Sequence, residues 1–162
     1  MDQHIATVVA RAFGKCMALR TIRGVRPAQM RQLYMAAVVP TTDYAASLWY
    51  APLRLGIKRH IAAIERVQRL AARLILRAYK SVALLVLQSE AKLPTVDDRL
   101  HRRVSDHIAK LCALAEDHPL QRCISWFSLQ GSAFPSPLRT TYDLYQRQLQ
   151  TTCRLRVSEQ PT

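Results

Sequence analysis

Residues 57–79, "IKRHIAAIERVQRLAARLILRAY", carry a helical period without a break. Ile57, Ile61, Ile64, Val67, Ala71, Leu74, Ile75 and Ala78 recur on one side, which predicts a single long amphipathic helix. Such a rod must lay its apolar side against other elements. Its opposite side is unusual. At about 100° per residue, Arg59, Arg66, Arg69, Arg73, Arg77 and Lys80 fall within roughly 80° of one another. Glu65 is the single acid in the stretch, so pairs between helix turns cannot neutralise this stripe. Six cations along about 31 Å repel one another unless an anion lies beside them.

The flanking sequence supplies helical partners. Ile5, Val8, Val9, Ala12, Cys16 and Leu19 predict a first helix over about residues 4–22, with Gly24 ending it. Pro27 suits the first turn of a second, "PAQMRQLYMAAVV", which Pro40 interrupts. "TTDYAASLWY" restarts a short helix with Thr42 or Asp43 as its cap. Another short one covers about 82–89. The segment beyond Glu116, the loop-like "GSAFPSP" and the last amphipathic piece (Leu138, Tyr142, Tyr145, Leu149, Cys153) complete the chain. With 4 Gly among 162 residues and abundant Ala, Leu and Arg, the expected fold is all-α. It is an irregular bundle of six to eight helices around the long basic one. The expected division is an N-terminal helix (1–26), a helical domain (27–130), and a loop with a C-terminal helix or tail (131–162).

The formal net charge is +13. It is uneven: from Arg11 to Lys80 there are 14 Lys or Arg against Asp43 and Glu65. Such a field favours a polyanion, nucleic acid before anionic membrane. No apolar run reaches the ~18 residues a membrane span needs, "VALLVL" being the densest. The first helix is basic, amphipathic and acid-free after Asp2, as mitochondrial presequences are. It is poor in serine and its pattern continues into the chain, so the expected location is the nucleus or cytoplasm, with mitochondrial import the weaker alternative. Cys16, Cys112, Cys123 and Cys153 lack zinc-type spacing, and the five histidines form no metalloprotease pair. No metal or cofactor is expected.

One motif invites a catalytic reading. "LPTVDDRL" sets Asp97 beside Asp98, as a metal site for phosphoryl transfer could. Yet Thr95 precedes Val96, Asp97 and Asp98 in the Ser/Thr-x-x-Asp/Glu capping pattern. Val96, Leu100, Val104, Ile108, Leu111 and Ala115 then recur at helical spacing. Both acids sit where the positive end of a helix dipole favours them. Arg99, Arg102 and Arg103 would compete with a metal, and Glu90 is the only other carboxylate nearby. The pair is expected to start a helix, Thr95 accepting from the Asp98 N–H and Asp98 reaching back to the Thr95 N–H.

Three runs in order, "RQLYMAAVVPTTDYAASLWYAP", "ERVQRLAARLILRAYKS" and "LQSEAKLPTVDDRLHRR", resemble non-LTR retrotransposon reverse transcriptases, closest to fungal elements. The similar region lies after the polymerase palm and before any ribonuclease H domain. The matching residues are Leu33, Tyr34, Pro40, Tyr44, Trp49, Gln68, Arg69, Ala71, Arg73, Ala78, Tyr79, Lys80, Leu87, Glu90, Ala91, Leu93, Pro94, Arg99 and Leu100. "HPL" (118–120) and "SPL" (136–138) extend the likeness over about residues 28–139. Ala45, Arg77 and Lys92 stand where that family favours glycine, and Val82 and Thr95 replace a Thr and a Pro. Glycine at such places serves a turn or a close approach.

The resemblance implies a thumb-like or connecting helical module that grips template–primer beside a separate palm domain. The family's metal-binding aspartates lie on that palm, so no catalytic residue is carried over to this chain. The expected function is therefore that of a catalytically inactive fragment contacting RNA or DNA through its phosphates. Arg59, Arg66, Arg69, Arg73, Arg77 and Lys80 are its expected contacts, blind to base sequence. Two alternatives stand beside it: a helical module docking an acidic protein or membrane surface, and a decayed reading frame without selected function.

Overall fold

The computed structural model describes residues 2–51, 56–115, 118–120, 142, 143 and 147. Seven helical segments and no strand occur among them. The fold is all-α. Two of the segments are single turns, so the five longer helices fall slightly below the expected six to eight. The segments are α1 (Asp2–Thr21), α2 (Pro27–Ala37), α3 (Val39–Thr42), α4 (Ala46–Trp49), α5 (Ile57–Leu76), α6 (Leu84–Glu90) and α7 (Val96–Cys112). The readings for the chain after Glu116, the 131–137 loop and the last helix lie outside the described residues apart from isolated positions.

Contacts divide the chain into two units. The first comprises residues 1–45 and 55–100, the second 46–54 and 101–162. In the first unit α5 is the central rod, packing on α1, α2 and α6, while α1 and α2 both touch α3. The predicted apolar register of α1 is the buried one: Ile5, Val8, Ala12, Cys16 and Leu19. Ala12, Cys16 and Leu19 meet Met30 and Tyr34 of α2, Val67, Ala71, Ala72 and Ile75 of α5, and Leu87 of α6 in one core. Pro27 opens α2 as expected, and the Arg26 N–H donates to Gln29 Oε1 at 3.1 Å. In the second unit Trp49 and Tyr50 are buried and meet edge to face, ring centroids 6.2 Å apart. Val104 and Ile108 of α7 are buried as their spacing predicts.

Two core groups make this packing sensitive to alkali. Burial pushes the Cys16 thiol up to about 11. It pushes the Tyr34 phenol up to about 12, against the opposing pull of the Arg99 guanidinium. Unfolded, they would ionise near 9.0 and 10.0. The raised values leave stability fully present below pH 9; it falls as pH rises through 9 to 12, where the unfolded chain sheds protons that the folded chain keeps. Each group should contribute a loss of roughly 2–3 kcal/mol by the top of that range. Urea denaturation at pH 7 and pH 11 checks this: Tyr34→Phe and Cys16→Ala should each flatten the pH dependence. An unchanged slope in both would contradict it.

Three bends place a residue other than glycine in left-handed backbone. Ala45, Arg77 and Lys92 are the non-glycine residues with left-handed backbone among those described, at φ 53°, 51° and 52°. A Cβ disfavours this conformation by roughly 1–2 kcal/mol. The Lys92 bend is a Schellman termination of α6. The Leu93 N–H donates to Gln88 O at 2.9 Å, and the Lys92 N–H to Ser89 O at 3.0 Å, the arrangement that usually places glycine at this position. Arg31 secures it from α2, its Nε and Nη2 donating to Lys92 O at 3.2 and 3.1 Å. These are the three positions where the resembled family favours glycine.

Candidate nucleic-acid interface

The long helix is about one turn shorter at its C-terminal end than its period predicts. It stops at Leu76, not near residue 79. Arg77 caps it in the left-handed conformation, and Arg73 O accepts from the N–H groups of both Arg77 and Ala78. Apolar periodicity runs on through Ala78, but backbone direction does not.

This changes the expected stripe. Arg59, Arg66 and Arg69 are exposed on the outer side of α5, across from buried Ile57, Ile64, Val67, Ala71 and Ile75. They stand where the period puts them, over about 15 Å of helix. Arg73 is half-buried. Its Nη2 donates to Lys80 O at 2.7 Å, closing the turn after the helix, and its Nε is buried without a hydrogen-bond partner among the described residues. It braces the turn instead of reaching outward. Arg77 and Lys80 are exposed but lie beyond the helix. The single continuous row of six is thus a helical face of three, a brace, and two cations on the following turn.

Lys58 joins this face although it is not among the six expected cations. It is exposed, and at about 100° per residue it lies only about 20° from Arg69. Among the described residues no carboxylate forms an ion pair with the face, although Asp2 feels the charge of Arg59. Among the described residues the ion pairs are His60 with Asp2 at 2.7 Å and Arg99 with Asp43 at 3.1 Å. Neither includes a residue of the stripe. The first holds the Asp2 carboxyl below its ordinary range through the His60 hydrogen bond.

The second pair belongs to a buried cluster that sequence reading missed. Arg99 Nε donates to both carboxylate oxygens of Asp43 at 3.1 Å. Arg99 Nη1 donates to Gln68 Oε1, and Nη2 to Thr42 Oγ1 at 3.3 Å. The Thr42 hydroxyl donates to Asp43 Oδ1 at 2.9 Å, and Gln68 Nε2 to Pro94 O at 2.7 Å. The Tyr34 hydroxyl reaches Gln68 Oε1 at 3.4 Å. Thr42 and Asp43, expected to cap a helix, are therefore buried partners of Arg99. A charged pair tolerates burial only when its donors and acceptors are met this fully. The cluster ties α2, α3, α5 and the start of α7 together within the first unit, and so fixes the roll of α5 that turns Arg59, Arg66 and Arg69 outward. The signal available in sequence was that Tyr34, Gln68 and Arg99 all lie among the residues that carry the resemblance described above.

Asp97 and Asp98 do open α7. The Asp98 N–H donates to Thr95 Oγ1 at 3.1 Å as expected. The reciprocal bond differs, because the Asp98 carboxylate accepts from the Thr95 hydroxyl, not from its N–H. Among the described residues no group of three His, Cys, Asp or Glu could hold a metal ion. No helix among them is long and apolar enough to cross a membrane. Comparison with protein-family models, curated proteins and solved structures finds no match.

Proposed function

We propose that this chain is a thumb- or connection-type helical module of a non-LTR retrotransposon reverse transcriptase, without the catalytic centre. Its role is to grip a nucleic acid by the phosphate backbone. The observation that carries this reading is the outer face of α5, where exposed Arg59, Arg66 and Arg69 stand with no carboxylate partner among the described residues. Lys58 widens that face, and Arg77 and Lys80 continue it past the helix end. About 15 Å of cationic helix spans four or so base-pair rises of 3.4 Å along a duplex axis. The family assignment draws support from the three left-handed residues at the positions of the family's glycines. It draws further support from the burial of Tyr34, Gln68, Leu87, Ala91, Leu93, Arg99 and Leu100, since a shared motif set should encode a shared core.

The decisive variant is Arg59→Gln/Arg66→Gln/Arg69→Gln. Loss of three phosphate contacts should weaken binding of a labelled duplex roughly 100-fold at ~0.1 M salt. The loss should be equal for unrelated base sequences. Fluorescence anisotropy measures it. Affinity equal to that of the parent would reduce the face to a solvated surface.

A further inference from the structure

A groove of about 1180 Å³ runs within the first unit between α1 and the α3 turn, lined by His4, Arg11, Gly14, Lys15, Thr41 and Tyr44 among others. None of its described lining residues is acidic. Asp43, next to Tyr44 in sequence, is turned inward onto Arg99 and buried, so it does not oppose an anion here. Lys15 is fixed in place. Its Nζ donates to Ala37 O at 3.1 Å and to Thr41 Oγ1 at 2.6 Å, which holds an ammonium between the two walls. Arg11 is exposed one helical turn earlier. Gly14 keeps the α1 side low, with nothing within 4 Å of where a Cβ would stand. Tyr44 is 68% exposed, and His4 Nε2 is buried with no hydrogen-bond partner among the described residues.

We infer that this groove binds an unpaired stretch of nucleic acid, with phosphates on Arg11 and Lys15 and a base stacked on Tyr44. Cations beside an exposed aromatic ring are what a single strand uses, because its bases present free faces. A duplex buries those faces and offers only phosphates, which suits α5 and leaves Tyr44 idle. The inference rests on the nucleic-acid reading and adds to it a second site that takes a different form of the same polymer. A module with both surfaces would hold a junction where a duplex gives way to a single strand.

The test uses the full chain and two probes, labelled oligothymidylate of about 12 nucleotides and a hairpin duplex. Tyr44→Leu should weaken oligothymidylate binding about tenfold, the effect of losing one stacked base, and leave the duplex unchanged. Tyr44→Phe should bind like the parent, since the ring remains. Arg11→Gln should weaken the single strand alone. Tyr79→Leu removes an aromatic ring that is 84% exposed but outside the groove, and should change neither affinity. The inference is overturned if Tyr44→Leu leaves oligothymidylate affinity intact, lowers both affinities equally, or is matched by Tyr79→Leu. Duplex binding that still responds to the α5 glutamines would then leave the backbone-gripping reading standing, whereas a parent chain that binds neither probe removes both.

Discussion

Arg99→Met should destabilise the protein by about 3–5 kcal/mol, the effect of stripping one partner from a buried ion pair. The Asp43 carboxylate would remain in the interior, only 2% exposed, with the Thr42 hydroxyl as its surviving polar contact among those described above. Gln68 Oε1 would lose its charged donor as well. Against a typical domain stability of about 5–15 kcal/mol, that is enough to leave a large unfolded fraction at 37 °C. Asp43→Leu combined with Arg99→Met should recover much of the loss, since well-packed apolar replacements of buried pairs are often near neutral. Urea denaturation of the single and double variants at pH 7 measures both effects. A loss under ~1 kcal/mol for Arg99→Met, within the ordinary range of surface changes, would mean that the cluster does not clamp the first unit.

The second large effect runs the other way. Ala45→Gly, Arg77→Gly and Lys92→Gly should together stabilise the chain by roughly 2–3 kcal/mol. Each relieves roughly 1–2 kcal/mol of left-handed strain, and each is offset by about 0.4–1 kcal/mol of added freedom in the unfolded state. Lys92 should respond most clearly, because its bend is held by two backbone bonds of the Schellman type and by Arg31. Arg77→Gly also removes a cation, so the Ala45→Gly/Lys92→Gly pair separates stability from binding. Thermal denaturation is the readout. If the three substitutions destabilise, their backbone is not left-handed in solution, and the correspondence with the family's glycines loses its meaning.

These two effects also mark where sequence reading succeeded and where it could not. The buried registers of α1, α5 and α7 follow directly from spacing, because a helix with one inward side must repeat its apolar residues about every 3.6 positions. The outward placement of Arg59, Arg66 and Arg69 follows from the same geometry. The end of α5 does not. Arg77 is a good helix former, and only the backbone shows it turning left-handed, although it is one of the positions where the resemblance leads one to expect glycine. Arg73 lies in register with the stripe yet bends onto Lys80 O, a contact made possible by that early ending. Thr42 and Asp43 read locally as a cap; their actual partner, Arg99, lies 57 and 56 residues away. The groove beside α1 was equally hidden, since its walls come from residues 3–18 and 40–44 and no spacing rule links them.

The salt dependence of duplex binding bears hardest on the claim that α5 grips phosphate. With Lys58, Arg59, Arg66, Arg69, Arg77 and Lys80 each displacing a counterion, log affinity should fall against log salt with a slope near about −5.4, roughly two-thousandfold between 50 and 200 mM. Glutamine at the three arginines should halve the slope, to about −2.7. A shallow slope in the parent, or a steep one that survives the triple substitution, would contradict the claim.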